Sequence, residues 1–359
     1  MAQAISHAFP QATVECRDLL EEVPAWLRRG YPAVYYVFVR RLSRLWGVCF
    51  ELLDRRLIYA VAQPIRRVWN LLMTQRFVRR LREAPPDLII TTHFFPSDVV
   101  SACKQAGWLR APLVVTVTDL YPHRFWLSPQ ADAYVFATKE GALTAKRRGI
   151  RPDRLHVLGI PIGSGFHARF EGRDLEQLFQ LEPHRRTVLV TSGATTVGPF
   201  EPVVEALMGL EAVWPHQIQL LVVCGEDVVV MRRLQARARR TQMPVRVFGF
   251  IDTMPEAMAA SDLIVAKAGG LTVAEALGRQ VPLLLYHMIP GQERLNAEYA
   301  VQHGAALIAR SPQEVVAAVR RCFEESGRLA AMREAAKGLS HPDAAEAIVA
   351  KVVKPLLNA

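Results

Sequence analysis

From about residue 86 onward, short apolar runs alternate with stretches of helical periodicity. Residues 87–91, 112–118, 133–137 and 155–159 read as strands, with a helix at 139–148 between the last two. A second series follows. Residues 187–191, 219–224, 245–248, 263–266 and 282–286 read as strands. Helical patterns fill the gaps near 199–210, 228–241, 255–260, 271–279, 292–303 and 312–337. Runs this short and apolar suit strands covered on both faces, and strands alternating with helices build a parallel sheet. The pattern predicts an α/β fold of two tandem, doubly wound, Rossmann-like domains.

The junction falls where the pattern weakens. Pro161, Gly163, Gly165 and Gly172 interrupt it and an amphipathic stretch at 175–181 follows. Residues 166–184 are therefore read as a linker between domains at 1–165 and 185–340. Residues 341–359 are read as a C-terminal helix crossing back toward the first domain. A length of 359 residues suits two domains, and 51% hydrophobic residues provide a core for each. The five cysteines form no C-x-x-C pair, so they read as small buried hydrophobes in a reducing compartment. The first residues carry neither the basic nor the apolar section of a secretion signal. The longest apolar stretches, 220–223 and 281–286, are far too short to span a bilayer. A cytoplasmic protein, free or lying on a membrane, is expected.

Charge changes the picture in one place. The net charge of +10 calls for an anionic partner. Thirteen arginines but only three acids (Glu51, Asp54, Glu83) fall within 24–84, interleaved with aromatic residues. Arg and Trp flanking apolar helical surface suit a helix lying in the plane of a membrane. Trp26, Arg28, Arg29, Arg40, Arg41, Arg44 and Trp46 are thus candidate contacts with anionic lipids. The alternative is a helical subdomain with a solvated basic face. Nucleic acid is set aside, because no DNA- or RNA-binding module accompanies the charge.

Four segments carry candidate chemistry. Lys267-Ala-Gly-Gly-Leu-Thr272 follows a strand and opens a helix. Glycines at such a junction expose backbone N–H groups at a helix N-terminus, where the helix dipole favours a diphosphate. Glu275 lies one turn further on, placed to hold a ribose diol. Pro290-Gly-Gln-Glu293 brings two polar side chains to a helix start, able to bind sugar hydroxyls. Thr191-Ser-Gly193, after the first strand of the second series, suits a phosphate contact. Val247-Phe-Gly-Phe250 ends a strand in an aromatic loop where a flat base can lie. Each alone is also an ordinary turn or helix start.

In this order, the four segments resemble the C-terminal domain of glycosyltransferase family 28. Thr92-His93-Phe-Phe-Pro96, Val117-Thr-Asp119-Leu-Tyr-Pro-His123-Arg-Phe-Trp126 and Gly159-Ile-Pro-Ile-Gly-Ser-Gly-Phe166 resemble its monogalactosyldiacylglycerol synthase and processive diacylglycerol glucosyltransferase branch. The resemblance spans nearly the whole chain. It implies a GT-B fold with a cleft between its two domains, and an inverting transfer of glucose or galactose from UDP-glucose or UDP-galactose to diacylglycerol. No metal or other cofactor is implied, and the enzyme is expected to lie peripherally on the inner face of the cell membrane. Residues 1–165 become the acceptor and membrane-binding domain, and 185–340 the nucleotide-sugar domain. Gly193, Lys267, Gly269, Gly270 and Thr272 take the diphosphate, Glu275 the ribose, Phe250 the uracil, and Gln292 with Glu293 the sugar.

Members of this family begin with a strand and a glycine-rich loop ending in His, a candidate base. Here residues 1–9 read as the first helix and 13–16 as the second strand, so the first strand and its loop are expected to be missing. Asp119, His93 and His123 are then the candidates for the base that deprotonates the acceptor. Two other readings stand beside this one: a same-fold transferase acting on another lipid-linked acceptor, and an inactive UDP- or lipid-binding relative.

Overall fold

The computed structural model describes residues 1–30, 34, 38, 42–194 and 196–358. They form two compact units, the first comprising 1–161, 290–292 and 343–359, the second 162–289 and 293–342.

In the first unit the helix α1 (Ala2–Ala8) is followed by α2 (Ser43–Leu53), α3 (Arg56–Met73) and α4 (Gln75–Glu83). Four parallel strands come next: β1 (Ile89–Thr91), β2 (Leu113–Thr116), β3 (Ala133–Phe136) and β4 (Leu155–Val157). Helix α5 (Phe94–Gln105) joins the first two strands and α6 (Lys139–Arg147) the last two. The strands lie side by side in chain order. Alternation along them feeds two cores. Leu113, Val115, Tyr134 and Phe136 pack with Val99, Val100 and Cys103 of α5 and with Trp126. Val114, Ala133 and Val135 pack instead with Ile348, Val352 and Val353, so the C-terminal segment covers the sheet's other face.

Helix α3 inverts the usual arrangement of an amphipathic helix. Its polar side is the docked one. Asn70 Nδ2 donates to Asp98 Oδ2 at 2.7 Å, and an Arg66 nitrogen reaches Asp98 Oδ1 at 3.2 Å, tying α3 to the buried carboxylate of α5. Leu57, Val61, Ile65, Val68 and Leu72 recur at the spacing of one helical face, and all five are exposed. Among the described residues no helix is long and apolar enough to cross a membrane.

The second unit holds α7 (Gly172–Phe179), β5 (Arg186–Thr191), α8 (Phe200–Met208), β6 (Ile218–Val223), α9 (Val228–Ala238) and β7 (Val245–Phe248). It continues with β8 (Leu263–Lys267), α10 (Gly270–Gly278), β9 (Leu283–His287), α11 (Gln292–Gln302), β10 (Ala306–Ile308), α12 (Pro312–Glu324) and α13 (Arg328–Leu339). All six strands are parallel, in the order β10-β9-β8-β5-β6-β7. From β5 the chain builds outward to β7, then returns to lay β8 on the other side of β5. This is the doubly wound arrangement expected, and its order reverses between β5 and β8.

Four expectations need correction. Residues 13–16 form no strand. A strand needs a partner ladder, and Glu15 and Cys16 are exposed with no strand beside them. Residues 166–184 are not a linker: Phe166, Leu175 and Phe179 are buried within the second unit. Its boundary lies earlier, after Pro161. The helix expected over 312–337 breaks at Gly327, whose φ of +78° no helix accommodates.

Candidate functional site

In open parallel sheets, ligands bind outside the carboxyl ends of the strands where the strand order reverses. In the second unit that place lies beyond β5 and β8. The chain leaves β5 through Ser192 and Gly193, and leaves β8 through Ala268 and Gly269 into α10. Gly193 has a φ of +80°, and Lys267 Cε lies 3.6 Å from where a Cβ on it would stand, so the two loops touch. Gly269 precedes α10 in extended conformation, and no side chain caps the helix. The first N–H groups of α10 have no acceptor within the helix, and no side chain makes a capping hydrogen bond to them. Thr272 Oγ1 and Glu293 Oε1 lie 3.8 and 3.9 Å from the position of a Cβ on Gly269.

Lys267 is held rather than mobile. Its Nζ pairs with Glu293 Oε1 at 3.0 Å, while Glu293 Oε2 accepts from the Ile289 N–H at 2.9 Å. Glu293 is buried, with both oxygens committed inside the protein. It therefore acts as a positioning residue for Lys267, which differs from the sugar contact expected of it. Glu275 is the opposite case. It is half-buried, has no hydrogen-bond or ion-pair partner among the described residues, and burial pushes its pKa up to about 7. A desolvated, unpaired carboxylate lacks only donors, and a vicinal diol supplies two.

The same rim continues past β6 and β7. Gly225, with φ of +59°, passes so close to the loop after β5 that a Cβ would fall 2.6 Å from the Gly193 carbonyl oxygen. The Gly225 carbonyl oxygen in turn lies 3.5 Å from the Cβ position of Gly249, and Phe250 follows with 67% of its surface exposed. The structure thus gathers Gly193, Lys267, Gly269, Gly270, Thr272 and Glu293 at one point, sets Glu275 one turn along α10, and places Phe250 further along the rim. Gln292 opens α11 directly before Glu293, and Pro290–Gln292 group with the first unit.

Three residues of this region have contacts that the sequence did not assign to them. His287, at the end of β9, has its ring against Gly198, close to Lys267 and Glu293, and burial lowers its pKa. Asn296 is fully buried and donates to the Ala268 carbonyl at 3.2 Å, fixing the turn before α10. Ser192 Oγ accepts from the Val197 N–H at 2.9 Å and shapes the loop after β5. His287 had a signal, a polar residue ending an apolar run. Asn296 had its spacing of one helical turn from Glu293.

In the first unit, Asp119 is buried and its Oδ2 accepts from the Trp126 indole N–H at 3.0 Å. His93 is exposed beside the same indole, with ring centroids 6.1 Å apart. It caps α5, Nδ1 accepting from the Phe95 N–H at 3.2 Å. His123 joins the same aromatic cluster, its ring 4.3 Å from that of Phe125, which lies 5.5 Å from that of Phe94. Its Nδ1 accepts from the Phe125 N–H at 3.1 Å, which leaves the proton on Nε2 to be donated to the Phe50 carbonyl at 3.0 Å. Burial lowers its pKa to about 4. With both nitrogens engaged, His123 anchors α2 and has no free lone pair for catalysis, a correction to its candidacy as base. Among the described residues no group of three or more His, Cys, Asp or Glu side chains is arranged to hold a metal ion.

Of the membrane candidates, Arg28, Arg29 and Arg44 are exposed, and Trp26 is exposed with its edge toward Trp69 at 6.3 Å. Trp46 is half-buried, its ring 6.4 Å from that of Phe50. Arg40 and Arg41 lie outside the described residues. The exposed stripe of α3 was the larger feature and was missed, although its spacing was there to read.

Both halves of the chain are similar to known proteins. Residues 1–162 match the family model for monogalactosyldiacylglycerol (MGDG) synthase, and residues 187–348 match that for the glycosyltransferase family 28 C-terminal domain. The chain is 29% identical over 270 residues to a processive diacylglycerol β-glucosyltransferase of Bacillus cereus (strain AH187), covering 75% of this chain and 68% of that one. Among solved structures it is similar to Acinetobacter baumannii MurG, with a TM-score of 0.58 at 17% identity over 79% of this chain and 78% of that one. It is also similar to the UDP-GlcNAc 2-epimerase of Neisseria meningitidis bound to UDP-GlcNAc, with a TM-score of 0.62 at 16% identity over 78% and 80%. These two likenesses establish the GT-B fold. The chain thus carries a monogalactosyldiacylglycerol synthase domain over residues 1–162 and a glycosyltransferase family 28 C-terminal domain over residues 187–348.

Proposed function

We propose that this protein transfers glucose or galactose from the UDP-sugar to diacylglycerol, with inversion and without a metal ion, as a peripheral enzyme on the inner face of the membrane. The observation that carries the proposal is the uncapped N-terminus of α10 at the sheet's switch point, with Lys267 beside it and the unpaired Glu275 one turn on. As the glycosidic bond breaks, the departing UDP gains negative charge while the sugar becomes oxocarbenium-like. The N–H groups of α10 and the Lys267 ammonium meet that charge with donors already in place, the largest single contribution in many enzymes. Glu275 accepts from the ribose hydroxyls and Phe250 supports the uracil. The hydroxyl of diacylglycerol attacks the opposite face of the sugar and gives up its proton. His93 and His123 each have Nδ1 occupied by a backbone N–H, so the proposal assigns the proton to Asp119.

The membrane part rests on α3. Five apolar side chains left in water forgo about 1.5–3 kcal/mol each relative to burial. A bilayer surface recovers that energy, and exposed arginines such as Arg28, Arg29 and Arg44 suit anionic headgroups.

The test is transfer from labelled UDP-glucose and UDP-galactose, with chelator present, to vesicles containing diacylglycerol. The expected product is a labelled glycolipid of inverted anomeric configuration with one of the two donors. No lipid product from either donor overturns the reading. Asp119→Asn should lower kcat by about 10²–10⁴-fold, the usual range for a lost general base, with UDP affinity unchanged.

A further inference from the structure

The first unit holds a concave site separate from any residue used above for transfer. A cavity of ≈ 400 Å³ is lined by Arg124, Arg148, Arg151 and Arg154, together with Tyr59 and Ser128, and no acidic side chain lines it. Three stretches supply the arginines: the turn Arg124–Trp126, the end of α6, and the turn Pro152–Arg154 that leads into β4.

Three of the four arginines are fixed by contacts within the unit, and the fourth is ion-paired at the surface. Arg148 grips the Asp54 carboxylate through both terminal nitrogens and donates to the Pro122 carbonyl at 2.9 Å. Arg124 Nε donates to the Asp54 carbonyl at 2.6 Å, and its terminal nitrogens have no hydrogen-bond partner among the described residues. Arg154 donates to the Ala131 carbonyl at 2.9 Å. Arg151 pairs at the surface with Asp153 at 2.9 Å. Asp54 and Asp153 between them match two of the four positive charges, and two remain.

Like charges gathered in a half-enclosed space repel one another. Guanidinium groups already held in place offer paired donors at the spacing of phosphate oxygens. A ligand bearing several anionic oxygens relieves the repulsion and uses the unpaired donors of Arg124. We propose that this cavity is a second anion site that binds a phosphate ester, whether the headgroup of a phospholipid or a small soluble phosphate.

The experiment uses the full chain, with glycerol 3-phosphate and inorganic phosphate followed by calorimetry. Sedimentation with phosphatidylcholine vesicles, with and without phosphatidylglycerol, forms the second arm. Arg124→Gln tests the donors directly. Arg151→Glu changes only an exposed position and remains informative if Arg124→Gln fails to fold. Arg147→Glu, exposed and outside the lining, controls for net charge, and Lys267→Met controls for phosphate bound at the donor half.

Affinity for at least one probe should fall about tenfold or more in the Arg124 and Arg151 variants, the loss expected for one charge-assisted bond, and hold in both controls. A fall confined to phosphatidylglycerol vesicles assigns the site to a lipid headgroup, and a fall for the soluble probes assigns it to free phosphate esters. No binding of any probe, unchanged affinity in both cavity variants, an equal loss in Arg147→Glu, or a loss in Lys267→Met alone overturns the proposal. The readout is binding in the first unit, so it is independent of whether sugar transfer is observed.

Discussion

The two units use the same parallel α/β construction to different ends. In the second, strands of up to six residues bury apolar side chains on both faces, and the candidate donor site lies at the rim where the strand order reverses. In the first, the described strands run in one direction without reversal, and much of the apolar surface sits outside the sheet, on α3, facing outward. A reversal creates a place for a ligand within the sheet's own edge. A one-way sheet offers no such place among its described strands, and the first unit's largest exposed apolar stripe lies on a helix that precedes the sheet.

That contrast can be broken by substitution. Lys267→Met removes one partner of a buried ion pair and leaves Glu293 with only the Ile289 N–H. Chemical denaturation should show a loss of about 3 kcal/mol, the range for a stranded buried charge. Val61→Glu with Ile65→Glu should do the reverse. Both positions are exposed, so stability should change by no more than about 0.5 kcal/mol. Binding to vesicles should weaken at least about tenfold, because two apolar contacts worth about 1.5 kcal/mol or more each are replaced by charges that anionic lipid repels. A large loss of stability here would mean that the stripe is covered within the protein.

Acid sharpens the comparison. Burial raises Glu275 to about 7, so the folded protein holds a proton that the unfolded chain releases above the ordinary carboxylate range. Its contribution to stability is present at low pH and is lost as pH rises through the window up to about 7. His123 has the opposite sign. Its pKa is lowered to about 4, so stability is full above the ordinary imidazole value of about 6.5 and is lost as pH falls toward 4. Each effect is on the order of 2 kcal/mol. Glu275→Gln should raise the thermal midpoint at pH 8 and hardly alter it at pH 5. An NMR titration should find His123 neutral at pH 5. The smallest expected effect is that of Arg44→Ala, which should weaken binding to anionic vesicles by about 1 kcal/mol and leave neutral vesicles unaffected.

The strands of both sheets were legible because an apolar run covered on both faces has few alternatives. The Gly-Gly turn before α10 was legible because a bare helix start after a strand is a local property. What the sequence hid was mostly tertiary. Residues 13–16 have strand-like composition but no neighbouring edge to pair with. Ala306–Ile308 is a strand of three residues whose pairing with β9, rather than its composition, defines it. Glu293 looked like a ligand for hydroxyls until the Ile289 N–H and Lys267 were found on its two oxygens. The stripe of α3 was readable as a period, but that it faces outward depends on Asn70 and Arg66 meeting Asp98, about thirty residues later.

The central claim is that the donor sits at the switch point of the second unit, with Glu275 as its ribose ligand. Calorimetric titration of UDP into the full chain and into Glu275→Ala tests it most directly. The account predicts a loss of about tenfold to a hundredfold in affinity, the worth of hydrogen bonds to a charged acceptor. It also predicts that the parent's affinity declines as pH falls below about 7, where the carboxylate becomes protonated. Unchanged UDP affinity in Glu275→Ala would contradict it and move the ribose away from α10.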